Sequence, residues 1–562
     1  MSIEHTTRSR IVAYWGALFP QRSDYAGLKR TWRGDLAAGV TVGIVALPLA
    51  LGFGISSGVG AEAGLITAIV AGIIAAVFGG SNVQVSGPTG AMVVVLAPIV
   101  ATQGLGAVAA VTLLAGIIVV AAAALKLGRA VTVIPWPVIE GFTLGIAVII
   151  FMQQVPALTG PDAGGASASN VVVTAVTSLA SADTAYLLWS LLIVAVVAAC
   201  MLLLPRLHAA IPGSLIGVAI ATGISFLLPL TLASIGVLPS TLPAPTLPEV
   251  DLGAITQLAP AAFAVAALAA IESLLSARVA ASMANTGPFD PDRELMGQGL
   301  ASVGASLFGG MPATGAIART AVNVRAGART RLAAIFHGVV LLLVVLLFAA
   351  PVSYIPLAAL SGVLMVTAFQ MVNRRVAGSI LRSTRGDAIA FVVTAVITVS
   401  VDLIVAVVIG VIFAGVIAMR NMSRAAGVHR EVLPGDEQPG DDRIALIAID
   451  GPLIFASAER VLDEVLSTAR VSVVILRLSR IDLVDATGAH VLEELVQRLE
   501  RRGITVIIKG VQDRHKKLFS RVGVVGALRH ENHLYAELEP ALAHARSHIQ
   551  RENSGEGAGS ST

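Results

Sequence analysis

Glu272 sits in Ala266-Ala267-Leu268-Ala269-Ala270-Ile271-Glu272-Ser273-Leu274-Leu275-Ser276, a carboxylate inside an apolar run. A lone carboxylate at membrane depth is costly, so its default role is functional: cation ligand, proton carrier, or partner to an arginine. Ser276 lies four residues on, shares the helix face, and joins Glu272 as a coupling-cation candidate. Two polar stretches also break the apolar pattern: Ser81-Asn82-Val83-Gln84-Val85-Ser86-Gly87-Pro88-Thr89-Gly90 and Met311-Pro312-Ala313-Thr314-Gly315-Ala316-Ile317-Ala318-Arg319-Thr320. In the first, Gly87-Pro88 reads as a strand-like segment entering a helix, with Pro88 near the first turn, where its missing N–H costs nothing. Thr89 and Gly90 then leave amides at a positive helix end, the simplest form of an anion site. Ala316 to Thr320 hold the equivalent place in the second stretch, where Arg319 adds a permanent charge. Two half-helices meeting head to head would hold a small anion between them. The plain alternative is that these glycines only let helices pack tightly.

The elements that carry these residues are membrane helices. Of 562 residues, 56% are hydrophobic and 13% charged, against about 25% charged in a soluble domain, which excludes a soluble enzyme, a disordered chain and a nucleic-acid binder. The net charge of +3 by itself says nothing about an anionic partner. Cys200 is the single cysteine, so neither an intrachain disulfide nor a metal cluster is expected. The first thirty-five residues lack the features of a cleaved signal, and the N-terminus is expected to be retained. Fourteen apolar segments are placed near 36–59, 62–80, 88–102, 105–125, 134–155, 185–204, 211–229, 258–284, 294–310, 318–327, 331–350, 356–373, 386–402 and 403–420. Those at 88–102 and 318–327 are too short to span alone.

Basic residues follow even-numbered segments: Lys126 and Arg129, Arg206, Arg278 and Arg293, Arg325 with Arg329 and Arg331, Arg374 with Arg375, Arg382 and Arg385, and Arg420 with Arg424. The odd loops carry Asp162, Asp183, Glu249 and Asp251 without a basic residue. Both termini are therefore expected in the cytoplasm. Ala75-Ala76-Val77-Phe78-Gly79-Gly80 recurs as Ala305-Ser306-Leu307-Phe308-Gly309-Gly310. Each copy precedes one of the polar stretches, and seven segments separate them, so the second half runs inverted. Arg278 is read as snorkelling. Glu140, Asp387, Asp402, His208 and His337 are read as interfacial or structural, and Trp15, Trp32, Trp136 and Trp189 as interfacial anchors.

Beyond about Gly427 the composition becomes that of a small α/β domain, with strands over 444–449, 471–478 and 504–509 and helices over 458–470 and 487–502. It has no phosphate loop or nucleophile set, and no enzyme activity is expected. Its distinctive turn, Asp482-Leu483-Val484-Asp485-Ala486-Thr487-Gly488, places a hydroxyl and a carboxylate at a helix start, or is simply an N-cap by Asp485. The domain plan is a cytoplasmic segment 1–35, a transmembrane region 36–425, a linker 426–442, the α/β domain 443–548 and a disordered tail 549–562.

The chain resembles the SulP anion transporters, relatives of sulfate permeases, pendrin and prestin. The resemblance rests on Gly34-Asp35-Leu36-Ala37-Ala38-Gly39-Val40, Gln84 to Gly90, Gly141-Phe142-Thr143, Arg319-Thr320-Ala321-Val322-Asn323 and Ala326-Gly327-Ala328-Arg329-Thr330. The C-terminal part is similar to the family's STAS domain around Asp485-Ala486-Thr487-Gly488. The resemblance implies seven-plus-seven inverted repeats, core and gate domains in elevator motion, a homodimer in the cell (inner) membrane, and a substrate among bicarbonate, dicarboxylates and sulfate. It places the anion at Ser86, Gly87, Pro88, Thr89 and Gly90 with Gly315, Ala316, Ile317 and Arg319, and the coupling cation at Glu272 and Ser276. It also makes Asp485 and Thr487 regulatory candidates, Thr487 standing where related domains carry a phosphorylatable serine. The bacterial bicarbonate branch is nearest. Glu272 replaces its expected Asp, Ser276 a Thr, and Ile317 a second cation-ligating hydroxyl, which turns the expectation from sodium to a proton. No cofactor beyond the coupling ion, and no nucleic acid, is expected. The competing reading is a membrane sensor that binds the anion and signals through the STAS domain without transport.

Overall fold

The computed structural model describes residues 16, 18–25, 27–131, 135–160, 171–207, 211–228, 232–248, 252–283, 287, 289–400, 409–410, 412–413, 415–417, 419–420, 427–454, 457–468 and 471–553. They fall into two compact units, divided at Val411. The first unit is helical. Its principal helices are α1 (Leu28–Ser56), α2 (Ala61–Phe78), α3 (Gly90–Gln103), α4 (Leu105–Ala124), α5 (Trp136–Gln153), α6 (Thr184–Leu207), α7 (Gly213–Leu227), α8 (Leu252–Met283), α9 (Pro291–Leu307), α10 (Ile317–Arg325), α11 (Leu332–Ser353), α12 (Leu357–Met371) and α13 (Arg385–Ser400). Eight described helices are long and apolar enough to cross a membrane. Half of the fourteenth segment lies outside the described residues, as do Trp15, Asp162, His208, Glu249, Asp251, Asp402 and Arg424.

The two interruptions have the same anatomy. Helix α2 stops at Phe78, where Gly79 turns extended, and α9 stops at Leu307, ahead of Gly309 at φ +75°. Each chain then runs through an extended pair, β1 (Ser86–Gly87) or β2 (Thr314–Gly315), before α3 or α10 begins. The strands pair antiparallel, Ser86 opposite Gly315 and Gly87 opposite Thr314. Helix packing carries the same two-fold relation. Adding seven to each helix number, with fourteen counted as a full cycle, converts the α1–α11 packing into α8–α4, α9–α4 into α2–α11, and α5–α13 into α12–α6, and all six pairs occur. This is the contact pattern of inverted seven-helix halves. Close crossings rely on small residues: a Cβ on Gly64 of α2 would collide with the Ala50 carbonyl of α1.

Three details differ from the sequence reading. Helix α1 begins at Leu28, eight residues early, because Lys29, Arg30 and Arg33 are good helix formers that extend it beyond its apolar part. A short helix, Val171–Ala180, occupies part of the loop expected at 157–184. Another, Arg374–Leu381, is capped by Asn373, whose side chain accepts from the Val376 N–H at 3.3 Å.

The second unit contains a five-stranded sheet in sequential order: β3 (Gly427–Glu431), β4 (Ile444–Asp450), β5 (Val473–Arg477), β6 (Thr505–Lys509) and β7 (Leu534–Tyr535). Only β3–β4 is antiparallel. Strand β3 falls in the stretch read as linker; its short polar sequence gave no period-two pattern, and pairing with β4 forms it. Helices are α14 (Ala458–Thr468), α15 (Ala486–Arg501), α16 (Asp513–Val522) and α17 (Leu538–Asn553). Alternation divides β4 between the faces: Ala445, Ile447 and Ile449 join the core under α14 and α15, while Ile444 and Leu446 pack on Ala541, Leu542, Ala545 and Ile549 of α17. Helix α17 continues to Asn553, past the boundary at 548.

Candidate anion and coupling-ion site

Strands β1 and β2 place the starts of α3 and α10 side by side in one buried region. The first N–H groups of any helix have no intrahelical acceptor. At α3 and α10 no side chain caps them. Ala316, the N-cap of α10, has no side-chain oxygen to offer. Thr89, the N-cap of α3, could cap but donates its hydroxyl to Glu272 Oε2 at 2.8 Å. Both positive helix ends are therefore available to a ligand.

Arg319 lies in the first turn of α10 and is 2% exposed. Its Nη2 donates to the Pro88 carbonyl across the break, while Nη1 has no hydrogen-bond partner among the described residues. One edge of the guanidinium thus braces the opposite half-helix and the other carries unused donors at the strand pair. Pro88 lies near the first turn of α3, as the sequence suggested, immediately before the N-cap Thr89. Gly87 ahead of it sits at φ +154°, a backbone that favours glycine, and the Pro88 carbonyl accepts from Arg319 Nη2.

Glu272 reaches the strands from α8. Its Oε2 accepts from both Thr89 and Thr314 at 2.8 Å, one hydroxyl from each repeat. Those hydroxyls are 3.3 Å apart. No ion pair joins Glu272 to Arg319 among the described residues. Ser276 is held one turn away, 3.2 Å from the Thr320 hydroxyl, which itself accepts from Val85 N at 3.0 Å. Ser273 completes that helix face by accepting from Gly315 N at 3.0 Å. Ile317 is 41% exposed and is not in the Glu272 cluster.

A second buried layer, missed in the sequence, supports the first. Glu294 of α9 accepts at Oε2 from Gly80 N (2.9 Å) and Ser81 N (3.1 Å), and at Oε1 from Gln84 Nε2 (2.9 Å) and Gln298 Nε2 (3.2 Å). Gln298 also donates to Ser86 Oγ at 2.5 Å. This carboxylate of one repeat therefore ties down the loop of the other. Asn323 Nδ2 adds a bond to the Val83 carbonyl at 2.8 Å. Asp35 accepts from Arg329 N at 2.7 Å and from both Thr330 N (3.0 Å) and Thr330 Oγ1 (2.7 Å), joining two separate resemblance motifs. His337 is fully buried against Gly39 of α1 and Gly72 of α2, and Trp136 Nε1 donates to Glu140 at 3.1 Å. Trp32, Trp136 and Trp189 are all exposed. In the second unit, Asp485 accepts from Gly488 N at 2.7 Å as the N-cap of α15, and Thr487 is exposed in the first turn.

Residues 32–394 match the sulfate permease family, and residues 437–541 match the STAS domain. The chain belongs to the sulfate permease family. It is 35% identical over 500 residues to the putative sulfate transporter YvdB of Bacillus subtilis (strain 168), covering 87% of this chain and 93% of that relative. It is 30% identical over 545 residues to the bicarbonate transporter BicA of Synechocystis sp., covering 92% and 94%. The inward-facing structure of the murine anion transporter Slc26a9 shares the fold, with a TM-score of 0.81 at 18% identity over 96% of this chain and 94% of that one. These relatives are named as transporters, and the chain is a multi-pass membrane protein of an anion-transport family with a C-terminal STAS domain.

Proposed function

We propose that this chain is a secondary active transporter of a small anion, with bicarbonate, a dicarboxylate or sulfate as substrate, driven by a coupling cation. The observation that carries this reading is the pair of uncapped helix ends at Thr89–Gly90 and Ala316–Ile317, with Arg319 offering unused donors beside them. The anion lies against Ser86 to Gly90 and Gly315 to Arg319 and takes the free amides at the starts of α3 and α10, where the helix ends and the guanidinium neutralise it. Glu272 loads the cation. Because Thr89 belongs to one helix end and also holds the carboxylate, the two occupancies share a residue.

A proton is favoured over sodium. A sodium ion needs several oxygens placed around it, whereas Ser276 is turned to Thr320 and Ile317 supplies none. A carboxyl needs only to gain or lose its proton. Helices α1–α4 with α8–α11, and α5–α7 with α12 and α13, are the core and gate that would slide in an elevator cycle, within a homodimer whose termini face the cytoplasm. The similarity to relatives named for sulfate and for bicarbonate supports the substrate class.

The test is radiolabelled uptake of bicarbonate, sulfate and fumarate into proteoliposomes, each with an inward proton gradient, an inward sodium gradient, or neither. Proton-driven uptake of one anion is the expected result. Sodium-driven uptake at fixed pH would overturn the choice of ion, and binding without flux from folded protein would overturn transport in favour of a sensor.

A further inference from the structure

We infer that the STAS domain carries a transition-metal site, a three-histidine clamp of His533, His544 and His548 that takes Zn2+ and pins helix α17 to the edge of the sheet. Each ring offers one nitrogen, and these nitrogens all lie within 4.8 Å of one another. His544 and His548 are one turn apart on α17 with their Nε2 atoms 3.3 Å apart. Two nitrogens on a tetrahedral zinc, each at about 2.0–2.1 Å, are separated by about 3.4 Å, so this pair already has the required bite. His533 comes from the turn before β7, and its ring stacks edge-on at 5.2 Å from His544 and 5.4 Å from His548.

The protonation pattern also suits a ligand set. His533 Nδ1 donates to the Val506 carbonyl of β6 at 3.1 Å, which fixes the tautomer and leaves Nε2 with its lone pair toward the cluster. A second-sphere carbonyl on the far nitrogen is the usual arrangement of a metal-bound imidazole. Burial first, then the neighbouring histidines, push His533 and His548 down to about 4, and burial lowers His544, so all three rings are neutral near pH 7. The ligand set holds no carboxylate, which disfavours Ca2+ and Mg2+ and favours a nitrogen-seeking late first-row cation. The nearby cations are engaged elsewhere: Arg529 pairs with Glu500 at 3.2 Å, and Arg551 donates to Ser547 at 3.1 Å.

Without a metal, His544 and His548 can share only one N–H between them, and α17 is held by its apolar face and by the ion pairs Asp441–Arg546 and Arg443–Glu552. A bound ion adds a tether from α17 to β7. The experiment uses the full chain in detergent, free of any histidine tag, stripped with EDTA and titrated with Zn2+ against a chromophoric chelator. About one Zn2+ per chain is expected, weakened at least about tenfold in His544→Ala and in His548→Ala, with the exposed His490→Ala unchanged. Amide exchange over residues 538–553 should slow on adding Zn2+ to the wild-type chain and not to the variants. Co2+ bound to the wild-type chain, which needs no substitution, should give the intense visible spectrum of a tetrahedral nitrogen site. Binding equal in wild type and both variants, or a wild-type chain with neither stoichiometric Zn2+ nor that Co2+ spectrum, would overturn the proposal.

Discussion

At Thr89 a side chain that could cap its own helix gives its hydroxyl hydrogen to a carboxylate instead. This single choice links the anion end to the cation end of the site. Hydrogen bonds to charged groups are worth about 1.5–3 kcal/mol, so Thr89→Val should shift the half-saturating concentration of the coupling ion by about tenfold or more, while Thr89→Ser stays near wild type. Kinetics of uptake against the coupling ion at saturating anion would show it, and an unchanged half-saturation in Thr89→Val would break the link. Glu272, Arg319 and the two interruptions were legible because a charge or a Pro-Gly break in apolar sequence has few innocent explanations. Thr314 and Glu294 were not. Thr314 is an ordinary hydroxyl until β2 sets it beside Glu272. Glu294 follows Asp290 and Pro291, so its charge reads as first-turn complement to a helix dipole, and its partners Gly80 and Ser81 lie more than 200 residues away. A single cysteine does not bear on a histidine-only site, and His533, His544 and His548 become a cluster only when α17 folds back on the sheet.

Among the elements, β1 and β2 have the least tolerance. A Cβ on Gly315 would run into the Gln84 amide and lie 3.1 Å from Ser273 Cα, and Gln84 is fixed by its 2.9 Å bond to Glu294. Gly315→Ala should therefore cost about 1–3 kcal/mol and depress both the melting temperature and uptake. Gly378→Ala, with open space around it, is the control; equal melting temperatures for the two would show that the strand pair can yield. The strand pairing itself was not visible beyond a strand-like reading of Gly87-Pro88, since two-residue strands carry no periodicity. In the STAS domain the helix-start turn was read directly. Asp485→Ala removes the cap of α15 and should cost about 1 kcal/mol, seen as faster amide exchange at Gly488 and Ala489. Thr487→Ala should leave that exchange alone, because the exposed hydroxyl is not the cap.

For the molecule as a whole, the inverted halves are what make the site. One repeat supplies Thr89 and the Pro88 carbonyl, the other supplies Glu272, Thr314 and Arg319, and neither half contains a complete set. The repeated FGG segment and the alternation of basic loops indicated inversion in the sequence; the seven-step symmetry of helix packing is its structural counterpart. The membrane helices were legible because their hydropathy is nearly all-round, and for the same reason the faces that meet were not. The central claim, that Glu272 couples cation loading to anion movement, is tested most directly by comparing wild type with Glu272→Gln in proteoliposomes, under gradient-driven uptake and under counterflow of preloaded anion. Glu272→Gln should lose concentrative uptake but retain counterflow. Concentrative uptake at the wild-type level in Glu272→Gln would contradict it.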